Sequence, residues 1–149
     1  MQPLALKACV SGSFRKAMVE VAEAVYTLTD MGVHVLSPAD PRIVGERGEF
    51  LFVASDKQRV VRLVQERHLE MITQSDFLWL CCPEGYVGAS AALEMGFALA
   101  KEVPIFALES PRDITLREFT SVCSLKAAVA ASAMPEARLR AQRRRLLQA

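Results

Sequence analysis

The sequence predicts one doubly wound α/β domain: about five parallel strands with helices on both faces, and further helices at the C-terminus. Three observations point there. Short apolar runs alternate with longer amphipathic stretches along the chain, the order that a parallel sheet with crossover helices produces. The runs around Trp79 and Ile105 are continuously apolar, as strands covered on both sides must be. A length of 149 residues, 52% of them hydrophobic and 23% charged, suits a single core and excludes a disordered or low-complexity chain.

Taken in order, Ala5 to Ser11 is a short apolar run ending in Ser-Gly-Ser, the pattern of a buried strand entering a loop. Met18, Val21, Ala22, Val25 and Leu28 recur at three- and four-residue steps, which predicts a helix from Phe14 to Met31 with Gly32 just past its end. Val33 to Leu36 is the second strand, closed by Ser37-Pro38. Residues 38 to 49 contain two Pro and two Gly and read as a loop, with Phe50 to Val53 a short third strand. Asp56 is a candidate cap for a helix running to Gln74, whose apolar stripe is Val60, Val61, Val64, Met71 and Ile72. Asp76 to Cys82 is a buried strand, Pro83 to Gly88 a loop, Ala89 to Ala100 a nearly uncharged helix, and Val103 to Leu108 another buried strand. Thr115 to Ala133 has a helical composition, and Pro135 starts a final basic helix.

The α/β domain is therefore placed at residues 1–134 and a basic terminal helix or tail at 135–149. Residues 136 to 149 carry five Arg and one Glu, a net +4 that leaves −3 for the other 135 residues. Such a basic segment suits RNA or an acidic partner, but a solvated or crystal-ordered terminal helix is the commoner explanation, and no function is assigned to it. The architecture is Rossmann- or flavodoxin-like. In such sheets ligands bind beyond the carboxyl ends of the strands, which directs attention to the loops at residues 11–15 and 82–90.

A formal net charge of +1 gives no reason to expect nucleic acid or an anionic membrane as partner, and leaves a small neutral or anionic molecule. Cys9, Cys81, Cys82 and Cys123 form no C-x-x-C pair, and His34 and His68 lack ligands at metal spacing, so buried thiols and no metal are expected. Met1 to Val10 lacks the basic and long apolar regions of a signal peptide, and the stretch Val87 to Ala100 is too short to span a bilayer. The expectation is a soluble cytoplasmic protein that needs no cofactor.

Three features could carry chemistry. Ser11-Gly12-Ser13-Phe14-Arg15 leaves a strand and enters a helix. Amides, hydroxyls and a guanidinium suit a phosphate there, although the spacing is neither G-x-G-x-x-G nor a P-loop. An ordinary turn with a capping serine and a solvated arginine is the plainer reading. Glu94 is the one charged side chain between Val87 and Ala100, and a carboxylate in so apolar a helix must be paired, hydrogen-bonded or open to a cleft. Ser90 lies four residues earlier on its face. The competing reading has Glu94 capping a neighbouring loop. His68 falls in the series Val60, Val64, His68, Ile72 and so faces the sheet, either to move protons or as a core histidine bonded to a carbonyl.

Together these residues resemble the nucleoside 2-deoxyribosyltransferase-like family, and within it the nucleoside 5′-monophosphate N-glycosidases most closely. The resemblance rests on Gly12-Ser13-Phe14-Arg15, on His68-Leu69-Glu70-Met71-Ile72-Thr73-Gln74-Ser75-Asp76, and on Gly85-Tyr86-Val87-Gly88 leading to Glu94-Met95-Gly96. It covers about residues 8 to 108. It implies that Glu94 attacks the anomeric carbon of a nucleoside or nucleotide and that the loop from Gly12 to Arg15 holds a 5′-phosphate. Glu94 and His68 are then the catalytic candidates. Ser11, Gly12, Ser13, Arg15, Tyr86, Gly88 and Ser90 are the substrate-binding candidates, with Cys9 and Asp76 as further ones.

This chain departs from the family's best-known members at three places: Cys9 replaces a tyrosine, His68 a catalytic aspartate, and Gly88 a serine or aspartate. His68 is the candidate substitute for the aspartate, and Ser90 for the missing hydroxyl. The family often completes its sites from a neighbouring subunit, and Thr115 to Ala133 is apolar beyond the needs of one outer helix, so a homo-oligomer is expected. Two alternatives remain. One is a non-catalytic nucleotide-binding or sensor domain. The other is a lysine-decarboxylase-like phosphoribohydrolase, whose P-G-G-x-G-T-x-x-E pattern is not met here, since Gly88 lies six residues before Glu94.

Overall fold

A computed structural model of the chain describes residues 4–148. Five strands, β1 (Lys7–Gly12), β2 (His34–Ser37), β5 (Phe77–Cys81), β6 (Ile105–Ala107) and β7 (Ser121–Val122), form one sheet in the order β2-β1-β5-β6-β7. Every pair in it is parallel. The expected doubly wound α/β architecture is therefore present, flavodoxin-like in strand order. The remaining strands, β3 (Ile43–Arg47) and β4 (Phe50–Val53), make a separate antiparallel hairpin.

Side-chain parity along the strands divides the core in two. Ala8 and Val10 of β1 and Phe77, Trp79 and Cys81 of β5 pack on one face, against Val21, Val25 and Leu28 of helix α1 (Met18–Asp30) and Ala128 of α5 (Leu125–Ala133). Cys9, Leu78 and Leu80 face the other way. They meet Ile72 of α2 (Val61–Thr73) and Ala91, Met95 and Ala98 of α3 (Ala89–Ala100). Because β1 and β5 are neighbours whose onward crossovers lead to opposite sides, a crevice opens between their carboxyl ends. Gly12 ends β1 where chain segments crowd together: a Cβ there would lie 3.0 Å from the Cys81 carbonyl oxygen and from Val21 Cγ2.

Several boundaries differ from expectation. Residues 38–49 are not all loop, since β3 supplies the partner that β4 needs, and β4 pairs with it instead of joining the main sheet. Helix α1 begins at Met18, because the turn at Phe14–Lys16 is closed by the Ser13 carbonyl accepting from Ala17 N–H at 2.6 Å. Asp56 is not the cap of α2. The helix starts after Val60, and Asp56 instead accepts from Val53 N–H at 2.8 Å. Val60 is 45% exposed and is no part of a core stripe.

The segment Thr115 to Ala133 is also not one helix. It divides into α4 (Ile114–Glu118), the edge strand β7 and α5; the Asp113 side chain caps the start of α4 and Ser124 caps the restart at α5. The final helix α6 (Pro135–Gln148) is docked rather than solvated. Arg138 and Arg145 reach the buried carboxylate of Asp76 at 3.3 and 2.9 Å, and Arg144 Nη2 lies 3.4 Å from the carbonyls of Ser75 and Asp76. No helix among the described residues is long and apolar enough to cross a membrane.

Candidate functional site

The crevice at the carboxyl ends of β1 and β5 is a cavity of about 480 Å³, within the size range of small-molecule sites. Strand parity builds its floor. Ser11 falls on the α2/α3 face of β1, as Cys9 does, and at the end of the strand it meets a side chain from each helix. Its hydroxyl donates to Glu94 Oε1 at 2.6 Å, and His68 Nε2 lies 3.1 Å from the same oxygen. Glu94 Oε2 accepts from the Gln65 amide at 2.9 Å.

Glu94 is only 7% exposed. Burial alone pushes its carboxyl up, yet the His68 charge and hydrogen bond, together with the donors on Ser11 and Gln65, outweigh that and hold it below the usual glutamate range. A buried carboxylate accepting from three donors is an ionised group ready for use.

The hydrogen bonds also fix the imidazole. A carboxylate only accepts, so Nε2 carries a proton toward Glu94. On the other side of the ring, Nδ1 lies 2.6 Å from the Ser37 hydroxyl at the end of β2, which donates to it whenever the ring is neutral. Ser37, His68 and Glu94 thus form one chain of contacts, with Gln65 beyond.

Above this floor the cavity has two unlike walls. One is polar, made by Ser13, Arg15, Lys16, Tyr86, Gly88 and Ser90. The other is largely apolar, made by Phe50, Leu51 and Val53 of the hairpin and Val64 of α2, and Asp56 also lines the cavity. Lys16 Nζ lies 4.0 Å from the centre of the Tyr86 ring. A 3₁₀ turn at Pro83–Gly85 shapes the approach to the polar wall. Gly85, at φ +79°, admits no side chain, because a Cβ would lie 2.6 Å from Arg112 Cγ and 2.9 Å from the Arg112 nitrogen. Among the described residues, no group of three His, Cys, Asp or Glu is placed to hold a metal ion.

No family model matches the chain, and no curated protein matches it. The site is therefore read from its own geometry. That geometry gathers Gly12, Ser13, Arg15, His68, Tyr86, Gly88, Ser90 and Glu94 around one cavity. Three candidates stand elsewhere. Ser11 is buried behind Glu94 and does not line the cavity, so it supports the glutamate rather than a phosphate. Cys9 is a core residue taking a hydrogen bond from Ser75, its thiol pushed up to about 12 by burial. Asp76 immediately precedes β5, at the opposite end of that strand from the loop carrying Tyr86 and Gly88, and its partners are Lys7 N–H, Arg138 and Arg145.

Arg15 is placed differently from the expectation of a free guanidinium. Its Nε donates to the Glu49 carbonyl, and its Nη2 donates to the Gly48 carbonyl and to Glu46. It ties the first loop to the hairpin tip and leaves Nη1 for a ligand. Lys16, Ser37, Asp56 and Gln65 were not singled out as site residues from the sequence. Gln65 precedes His68 by three and so shares its helical face, and that spacing is the signal in the sequence that could have found it.

Proposed function

We propose that this protein cleaves the N-glycosidic bond of a nucleoside or nucleoside 5′-monophosphate, with Glu94 as nucleophile and water or a second base as acceptor. The observation that carries this reading is the buried, ionised Glu94 on the floor of a nucleoside-sized cavity. Departure of a base leaves positive charge on the sugar, and a fixed carboxylate stabilises that charge and closes on it as a glycosyl ester. Glu94 Oε1 has two internal partners and Oε2 has one, so Oε2 is the attacking oxygen. Ser37, His68, Ser11 and Gln65 hold it in place. Both ring nitrogens of His68 already have protein partners, which suits it to keeping Glu94 ionised and oriented rather than to meeting the base.

The test is incubation with a panel of nucleosides and their 5′-monophosphates, with chromatography for released base. The phosphate is assigned to Ser13, Arg15 and Lys16, which line the cavity and carry a hydroxyl and two positive charges. Monophosphates are expected to bind more tightly than the matching nucleosides. Arg15→Ala should cut that preference roughly tenfold, the value of one charge-assisted hydrogen bond. Equal Kd values for nucleoside and monophosphate in the wild type would remove the phosphate from the proposal.

The protein is further proposed to self-associate in the reducing cytoplasm. Ile114, Phe119 and Val122, at the end of the molecule formed by α4 and β7, are 71, 48 and 53% exposed. Light scattering at micromolar concentration should give a mass of at least twice 16.4 kDa, and a monomer mass would exclude it.

A further inference from the structure

We propose that Asp56 is the proton donor to the departing base and the base that afterwards activates the attacking water. This inference rests on the N-glycosidic reading and supplies the group that reading lacks. Base departure from an unactivated nucleoside needs a proton delivered to the leaving nitrogen, and His68, with both ring nitrogens bonded to Glu94 and Ser37, is not free to deliver it.

The walls of the cavity say where the proton must come from. With the anomeric carbon at Glu94 Oε2 and the phosphate at Arg15 and Lys16, the planar base is left to the apolar wall of Phe50, Leu51, Val53 and Val64. Asp56 lines the same cavity, three residues beyond Val53 in the chain. One of its oxygens, Oδ2, accepts from Val53 N–H at 2.8 Å, while its own N–H donates to the Val53 carbonyl at 2.9 Å. This closed turn fixes the carboxyl group. Among the described residues no donor reaches Oδ1, which is left for the ligand.

The electrostatics agree. The charged groups that act on Asp56 are His68 and Arg67 of α2, and both favour its ionised form. Burial nonetheless prevails and pushes its carboxyl up from the ordinary aspartate range. Glu94 is held down. Two carboxyl groups driven in opposite directions around one cavity is the division of labour that glycosidic chemistry requires. In the first step Glu94 Oε2 bonds to the anomeric carbon, the carbon–nitrogen bond breaks, its electron pair leaves with the base, and the Asp56 proton goes to that base. In the second, water attacks the same carbon, Asp56 takes the water's proton, and the ester bond breaks to restore the Glu94 carboxylate.

The experiment compares wild type, Asp56→Asn and Asp56→Ala on two leaving groups: the purine or pyrimidine of a cleaved 5′-monophosphate, and 4-nitrophenolate from the 4-nitrophenyl glycoside of the same sugar. The nitrophenolate departs without a proton. Asparagine keeps the turn, since its side-chain oxygen accepts from Val53 N–H, but it has no acidic proton. Asp56→Asn should slow base release by roughly 10² to 10⁴-fold and leave nitrophenolate release within a fewfold of wild type in the burst of the first turnover. Asp56→Ala should behave the same way at equal or lower melting temperature. Impairment by alanine alone, equal slowing of both substrates by asparagine, or no slowing at all would overturn the assignment. If the wild type released neither leaving group, the N-glycosidic reading itself would fall, and the role of Asp56 with it.

Discussion

Glu94→Gln is expected to abolish base release, by roughly 10⁴-fold or more, as removal of a nucleophile does elsewhere, while nucleotide affinity changes by no more than a fewfold. Glutamine is isosteric and its oxygen can still accept from Ser11 and His68. Its amide, however, faces the amide of Gln65, and a flip of Gln65 that presents its carbonyl relieves the conflict. The cavity therefore keeps its shape and loses its charge. Isothermal titration and single-turnover base release on the same protein separate the two effects. Wild-type rates in the variant would exclude Glu94 as nucleophile.

The same substitution has a consequence for acid stability. Glu94 is held below the usual range in the folded protein, whereas in the unfolded chain it titrates near 4.3. Its ionised form thus contributes stability that is fully present above about 4.3 and is lost as pH falls through the lower folded value. Melting temperature in Glu94→Gln should lose this component of its pH dependence below about pH 4. An acid limb as steep as in the wild type would show that the buried carboxylate is not coupled to folding.

Asp76→Ala is expected to give the largest loss of stability without changing the chemistry. The Asp76 side chain is 3% exposed and holds Lys7 N–H at the start of β1 together with Arg138 and Arg145 of α6. Removing it leaves two guanidinium groups and a backbone donor without their acceptor. Breaking a buried ion pair from one side costs about 3 to 5 kcal/mol. Since both arginines are partly exposed and regain water, the lower figure applies. At the size of this chain that corresponds to a melting temperature lower by roughly 6 to 12 °C. Deleting residues 135–149 should do similar damage, because Arg144 also covers the Ser75 and Asp76 carbonyls. A deletion melting at the wild-type temperature would show that α6 is a tail after all.

The comparison of expectation with structure has a consistent physical pattern. Four strands of the core, β1, β2, β5 and β6, were legible, because strands covered on both faces leave apolar runs such as Phe77 to Cys81; the fifth, the two-residue β7, lay inside a stretch of helical composition. Helix α3 was legible because Ala89 to Ala100 holds five alanines, two leucines and a methionine, with no proline and Gly96 as its one weak helix former. Glu94 and His68 were legible for a related reason: a polar group in an apolar setting is costly, so its presence asks for a use. The hairpin was half hidden, since Ile43 and Val44 lie among glycines and charges and neither is buried. The division of Thr115–Ala133 turned on the caps at Asp113 and Ser124, which composition does not weigh. Asp56 was misplaced because the signature of a helix cap and that of a turn closing onto Val53 are the same short acid. Arg15 was identified without its partners, because sequence spacing carries no record of a contact with residues 31 to 34 positions away.

The hairpin β3–β4 forms its own ladder and contributes no hydrogen bond to the main sheet's order. One wall of the cavity is consequently an insert, while the floor belongs to the frame. Changes at Phe50 or Leu51 can alter the shape of that wall without disturbing the register of β1 against β5 or the placement of Glu94. The molecule thus separates the part that fixes the Glu94 carboxylate, at a strand crossover of the main sheet, from the panel that closes the cavity beside it.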